Sequence, residues 1–170
     1  MKRSQIVIQC AEDVLFGNDI EPGPGAPDAI VKKYRILLRY YDLGSLKGFY
    51  TILNGHDCIG ININLSDFER KEALSHELGH CFLHKGLAEE TILSDYDLYR
   101  LHIHTEWEAN LFAALILVPC FDPEITKSHS FGSLAALLGV SEEMLSLRFQ
   151  CNELILKNNL SRFLPSEESS

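Results

Sequence analysis

The segment His76-Glu77-Leu78-Gly79-His80 has the residue types and spacing for metal-assisted hydrolysis. On an α-helix, residues four apart differ by about 40° of rotation and about 6 Å of rise, so both imidazoles can bind one ion. Glu77 lies beside them and can reach a metal-bound water without being a ligand, while the metal lowers the pKa of that water toward about 7. The motif predicts His76 and His80 as metal ligands and Glu77 as the general base.

A catalytic zinc site also needs a third protein ligand and an open position for water. The downstream candidates are His84, His102, His104, Glu106 and Glu108. Three histidines spaced four apart spread over about 12 Å of helix, too far for one ion, so His84 is not expected to be a ligand. It is predicted to be a partly exposed residue of the last helical turn, where the helix dipole favours it.

The choice between Glu106 and Glu108 follows from a predicted helix start. Thr105-Glu106-Trp107-Glu108 matches the capping box, in which the glutamate folds back onto the backbone of the first residue. This interpretation occupies Glu108 and leaves Glu106 free, so we predict Glu106 as the third ligand. Asn110, four residues later on the same face, could hydrogen-bond a metal-bound histidine and fix its ring.

The types of the candidate ligands do not specify which metal ion binds. Two histidines and a carboxylate suit Zn²⁺, which we expect, although Mn²⁺ or Fe²⁺ could bind the same set. The group that would stabilise an oxyanion is also open, with Tyr99, His102 and His104 as candidates in a stretch predicted to be irregular, residues 87–104.

The elements that must position these residues form a predicted α+β fold. Residues 35–64 contain three runs rich in Ile, Leu, Tyr and Phe, with an Asn54-Gly55 hairpin signal, and predict a small three-stranded antiparallel sheet. A capping box that starts at Ser66 begins the motif helix, which should end near Lys85. The apolar run after Glu106 predicts a buried helix.

The rest of the chain completes one predicted domain over residues 1–170. Its parts are an N-terminal helix at 1–17, a Pro- and Gly-rich loop at 18–28, a catalytic core at 35–119, a C-terminal helix pair at 131–158 and a frayed tail at 165–170. No window of about 18 uncharged apolar residues predicts a membrane span. The start lacks the features of a signal peptide, which favours a cytoplasmic protein. Five unclustered cysteines favour reduced thiols.

Charge argues against one class of function, direct nucleic-acid binding. The formal net charge is −9, which repels a polyphosphate. Residues 134–149 do have the helix, glycine turn and helix of a helix-turn-helix, but Glu142 and Glu143 open the second helix and would face phosphates. The helix pair is more consistent with completing the fold or contacting a partner protein.

Several segments together resemble the ImmA/IrrE metallopeptidases. They are LSHELGHCFLH at 74–84, EWEANLFAALILVP at 106–119, the strand segments DLGSLKGFY and GININL, and LAALLGVSEEMLSLRF. The resemblance covers roughly residues 35–155. Ser75 and Val118 depart from the family's usual residues at positions that do not touch the chemistry.

The resemblance implies a gluzincin-like, zinc-dependent endopeptidase with a zincin-like helical core. It assigns the zinc ligands to His76, His80 and Glu106. Members of the family cleave or otherwise inactivate helix-turn-helix repressors of prophages, integrative elements or stress regulons, so such a repressor is the implied substrate. An alternative stays open, a metal-containing regulatory protein that binds and inactivates a repressor without proteolysis.

Overall fold

The computed structural model describes residues 2–88, 95–121, 123–157 and 162–163, with the side chains of 87–88, 95–102 and 123 outside the description. The helices are α1 (Arg3–Leu15), α2 (Ala26–Tyr34), α3 (Asp67–Leu83), α4 (Asp95–Leu117), α5 (Phe131–Leu138) and α6 (Glu142–Lys157). The strands are β1 (Leu37–Tyr41), β2 (Gly48–Leu53) and β3 (His56–Asn62). The predicted α+β class with a C-terminal helix pair is confirmed.

The three strands form a mixed sheet in the order β1-β3-β2. β2 and β3 are an antiparallel hairpin around Asn54 and Gly55, both of which have the positive φ that such a tight turn requires. β1 pairs with β3 in parallel, with Leu37 opposite Cys58. The prediction of a purely antiparallel sheet is therefore wrong for β1.

The link between β1 and β2 explains this order. It crosses the end of β3, where the buried Asn62 side chain donates to the carbonyls of Gly44 and Leu46, both at 2.9 Å. Because the link joins the two edge strands at one end of the sheet, β1 runs antiparallel to β2 and parallel to β3. The apolar pattern of each strand does not specify which strand becomes central.

Helix α3 begins where its capping box predicts. The Ser66 hydroxyl accepts from the Glu69 backbone N–H, and the Glu69 carboxylate accepts from the Ser66 backbone N–H at 3.0 Å. The helix ends at Leu83, two residues before the predicted end, with His84 as its C-cap. This helix packs against β2, β3 and α4 and holds the motif histidines between sheet and helix.

Helix α4 starts earlier than its sequence predicts. It begins at Asp95, so Thr105 lies within the helix and cannot be its N-cap. The capping box predicted at residues 105–108 is wrong, and the irregular stretch predicted at residues 87–104 is wrong over residues 95–104. The second half of the helix is confirmed as apolar and buried, with every residue from Leu111 to Leu117 fully enclosed.

The terminal helices close the core around α4. α1 and α6 both pack against α4, and Met144, Leu145 and Ile155 of α6 are buried. The five cysteines are free thiols, as predicted. No helix in the described ranges combines the length and apolarity that a bilayer crossing requires. The predicted frayed tail at 165–170 lies outside the described residues.

Candidate metal centre

His76, His80 and Glu106 converge where α3 faces α4. His76 Nε2 lies 3.2 Å from Glu106 Oε2, His80 Nε2 lies 3.2 Å from Glu106 Oε1, and the two Nε2 atoms are 3.1 Å apart. Ligands of a tetrahedral ion at about 2.0–2.1 Å are separated by about 3.3–3.4 Å. The spacing of these three side chains therefore suits one small cation, and the three residues predicted as ligands are brought together.

Asn110 shows why this spacing calls for a cation. Its Oδ1 lies 2.8 Å from His76 Nδ1 and can only accept, so the His76 proton is on Nδ1 and Nε2 presents a lone pair. That lone pair faces an acceptor oxygen of Glu106, and two acceptors at this distance repel unless a metal cation or a second ring proton lies between them. The contact is the one the sequence predicts for Asn110, and it fixes the ring in the orientation a metal ligand needs.

Glu77 lies beside this centre, at the inner end of the cleft described below. Its side chain is buried, and a Cβ added at Gly48 of β2 would lie 3.1 Å from Glu77 Cγ. Burial, together with the smaller effect of the nearby negative charge of Glu106, raises the pKa of Glu77 to about 7. A carboxylate with a pKa near neutrality is suited to exchange protons, and a neighbouring dication would favour its ionised form.

His84 and Glu108 have different surroundings from those predicted. His84 is buried, not partly exposed, with Nδ1 3.1 Å from His80 Nδ1 and Nε2 2.9 Å from Glu108 Oε2. Glu108 Oε1 also accepts from Arg3 Nη1 at 2.9 Å. Glu108 is therefore not a capping residue, and the premise that led to Glu106 is wrong even though Glu106 does face both histidines. No local pattern signals contacts that join residues so distant in sequence.

The three candidates for oxyanion stabilisation gain no support. His104 is exposed on α4 and is not among the described residues that line the cleft. The side chains of Tyr99 and His102 lie outside the described residues.

A cleft of about 680 Å³ leads from the surface to the metal-site residues. One wall is the start of β2 with the link before it, and the others are α3 and the start of α6. Its charged lining is mostly acidic, with Glu69, Glu72 and Glu143 against Lys47. Glu72 also accepts from the backbone N–H of Ser141 at 2.7 Å, which joins the cleft walls.

Comparison with known proteins identifies the fold family. The model of a peptidase family, described as the IrrE N-terminal-like domain, matches residues 31–150. The chain belongs to this family. The predicted ImmA/IrrE resemblance is thus confirmed, and family membership makes the matched segment a metallopeptidase-type domain.

A phage protein is also similar to the chain. "Uncharacterized immunity region protein 2" of Bacillus phage phi105 is 33% identical over 105 residues. The aligned part covers 61% of this chain and 65% of the phage protein.

Proposed function

We propose that the protein is a zinc-dependent endopeptidase that cleaves a helix-turn-helix transcriptional repressor. The observation that carries the proposal is the convergence of His76, His80 and Glu106 within 3.1–3.2 Å of one another, in a chain of a peptidase family. The buried Glu77 at the end of an open cleft supports hydrolysis over simple metal storage. We further propose that residues 1–170 act as one domain and work in the cytoplasm, where repressors bind DNA.

The residues present would divide the chemistry as follows. His76 and His80 through Nε2, and Glu106 through its carboxylate, would hold Zn²⁺, which supplies Lewis acidity toward water and the peptide carbonyl. Glu77 takes a proton from the attacking water and later gives it to the leaving amine nitrogen. Asn110 keeps the His76 ring oriented throughout, and burial keeps competing water away from the Glu77 carboxyl.

The substrate class is supported by the phage relative and by the family. That relative carries the name of an immunity region, and the family resemblance implies repressors of prophages, integrative elements or stress regulons. Cleavage would remove the repressor and activate transcription of the element. The alternative, a regulator that binds a repressor without cutting it, leaves the buried Glu77 without a role.

A direct test uses the purified zinc-loaded protein and the purified helix-turn-helix repressor encoded nearest its gene. The expected result is a defined pair of repressor fragments by mass spectrometry. Fragmentation should stop with a chelator and resume when zinc is restored. A repressor that binds the zinc-loaded protein and stays intact would contradict the proposed activity and favour the non-proteolytic alternative.

A further inference from the structure

A chain of hydrogen bonds runs from the candidate ligand His80 to the N-terminal helix. His80 Nδ1 meets His84 Nδ1 at 3.1 Å, His84 Nε2 meets Glu108 Oε2 at 2.9 Å, and Glu108 Oε1 meets Arg3 Nη1 at 2.9 Å. His84 and Glu108 are shielded from solvent, with side-chain exposures of 8% and 12%. We call Arg3, Glu108 and His84 the relay.

The relay fixes which nitrogen of His80 carries its proton. A carboxylate only accepts, so in the neutral form of His84 the single ring proton must be on Nε2 to meet Glu108, which leaves His84 Nδ1 as an acceptor. His80 must then donate from Nδ1, and its Nε2 is left with a lone pair. That lone pair is on the side that faces His76 and Glu106, where a metal ligand needs it.

We propose that His84 and Glu108 are positioning residues that set the tautomer of His80, with Arg3 of α1 as the second donor to the Glu108 carboxylate. The inference rests on the proposed function in treating His80 as a ligand. Arg3 lies outside residues 31–150, the segment that the family model matches, so this second donor to Glu108 comes from outside the matched segment. The Asn110 contact does the same for His76 from within α4.

The carboxylate of Glu108 satisfies two donors at once, which makes Glu108→Gln informative. An amide has one oxygen and one NH₂, so it can accept from Arg3 or from His84 but not from both. The charged Arg3 is the stronger donor and should take the oxygen, which leaves NH₂ facing His84. The ring proton of each imidazole then moves to the other nitrogen. His84 carries its proton on Nδ1, and His80 carries its proton on Nε2, the wrong nitrogen for metal binding.

Removing Arg3 should therefore repair the Glu108→Gln variant. In the double variant Arg3→Ala/Glu108→Gln, the amide can rotate and offer its oxygen to His84, which restores the original tautomer. Arg3→Ala alone should change zinc affinity less than about threefold, because its half-exposed ion pair contributes little and Glu108 still accepts from His84. Glu153→Gln on α6, an exposed carboxylate paired with Lys157, is the matched control.

The experiment measures two quantities in all five proteins. The first is the ¹⁵N chemical shifts of the His80 ring in the metal-free protein at about pH 8, which report the tautomer directly, and the second is zinc affinity by chelator competition. The expected result is Nδ1–H for His80 in the unmodified protein and Nε2–H in Glu108→Gln, with affinity about 10–100-fold weaker in that variant. The double variant should regain Nδ1–H and most of the affinity.

Two results would overturn the relay. One is an Nε2–H tautomer of His80 in the unmodified protein. The other is a Glu108→Gln variant with the unmodified tautomer and affinity, or one whose defects Arg3→Ala does not relieve while circular dichroism shows a folded protein. The tautomer is measured in the metal-free protein. Failure to bind zinc would therefore refute the proposed function, while the tautomers of the variants would still test the relay.

Discussion

Two neighbouring carboxylates, Glu77 and Glu106, have different surroundings, which suit the different roles that we propose for them. Glu106 faces both imidazoles at 3.2 Å, so its negative charge is compensated once a cation binds. Glu77 is buried next to Gly48, has a raised pKa and is not one of the three clustered ligands. In many enzymes, different environments give two nearby carboxyl groups different pKa values, so that the two groups can have different roles in the reaction.

The substitution Glu77→Gln should separate hydrolysis from metal binding. Glutamine has nearly the same shape but cannot accept the proton from water, so repressor cleavage should fall by roughly 10²–10⁴-fold. Zinc content should remain one per chain because the three ligand side chains are unchanged. Fragment yield and elemental analysis measure the two effects.

A control for this substitution is Glu143→Gln, an exposed cleft carboxylate that changes the charge equally. It should cleave at close to the unmodified rate. Persistent cleavage by Glu77→Gln would show that another group is the base.

At the scale of elements, the proposed metal site depends on how closely α3 approaches α4. Gly79, one residue before His80, packs directly on Ala109, and an added Cβ there would lie 2.7 Å from Ala109 Cα. Only a residue without a side chain allows this approach. The two histidines come from one helix and Glu106 from the other, so the helix separation sets the distance between ligands.

The substitution Gly79→Ala should weaken both zinc binding and the fold. Alanine is the better helix former, yet overpacking against a backbone atom costs about 1–3 kcal/mol and pushes the helices apart. Zinc affinity should fall because Glu106 moves away from the two rings. Chemical unfolding and chelator competition measure the two losses.

Gly86→Ala is the matched comparison, since no described atom outside its two chain neighbours lies within 4 Å of its added Cβ. Its stability should stay within about 0.5 kcal/mol of the unmodified protein. Equal behaviour of the two variants would show that the close approach at Gly79 is not required.

Elements that are specified locally could be predicted, and those that depend on distant contacts could not. The capping boxes at Ser66 and Thr105 have the same pattern, but only the first starts a helix, because the residues before Thr105 are themselves helical. The shared helix face of His76 and His80, and that of Glu106 and Asn110, could be predicted from helical spacing alone. The pairing of β1 with β3 and the contact of Arg3 with Glu108 join distant parts of the chain, and no local pattern indicates either.

At the scale of the whole molecule, the C-terminal helix pair is part of the core. The inner face of α6 packs on α4, while its first residues, Glu142 and Glu143, are exposed. These carboxylates and a net charge of −9 disfavour contact with phosphates. The helix pair is part of the core, and the start of α6 forms one wall of the cleft. Both observations agree with the predicted role of completing the fold.

Metal removal should lower stability without unfolding the protein. The apolar core joins α1, α3, α4, α6 and the sheet, and none of the three candidate ligands belongs to it. Zinc at 1,000 times its dissociation constant stabilises the native state by about 4 kcal/mol. A chelator should therefore lower the melting temperature clearly, while the far-ultraviolet circular dichroism at about 25 °C stays the same.

Recovery of the original melting temperature on adding zinc is the control for that experiment. Loss of helical signal at room temperature on chelation would instead show that the metal is needed to fold the chain.

The most direct test of the account is anomalous diffraction from zinc-loaded crystals, collected on both sides of the zinc absorption edge. One strong peak is predicted per chain, at about 2.0–2.2 Å from Nε2 of His76, Nε2 of His80 and a carboxylate oxygen of Glu106, with one position open. A peak bound by other residues, or none in crystals that contain zinc, would contradict the account.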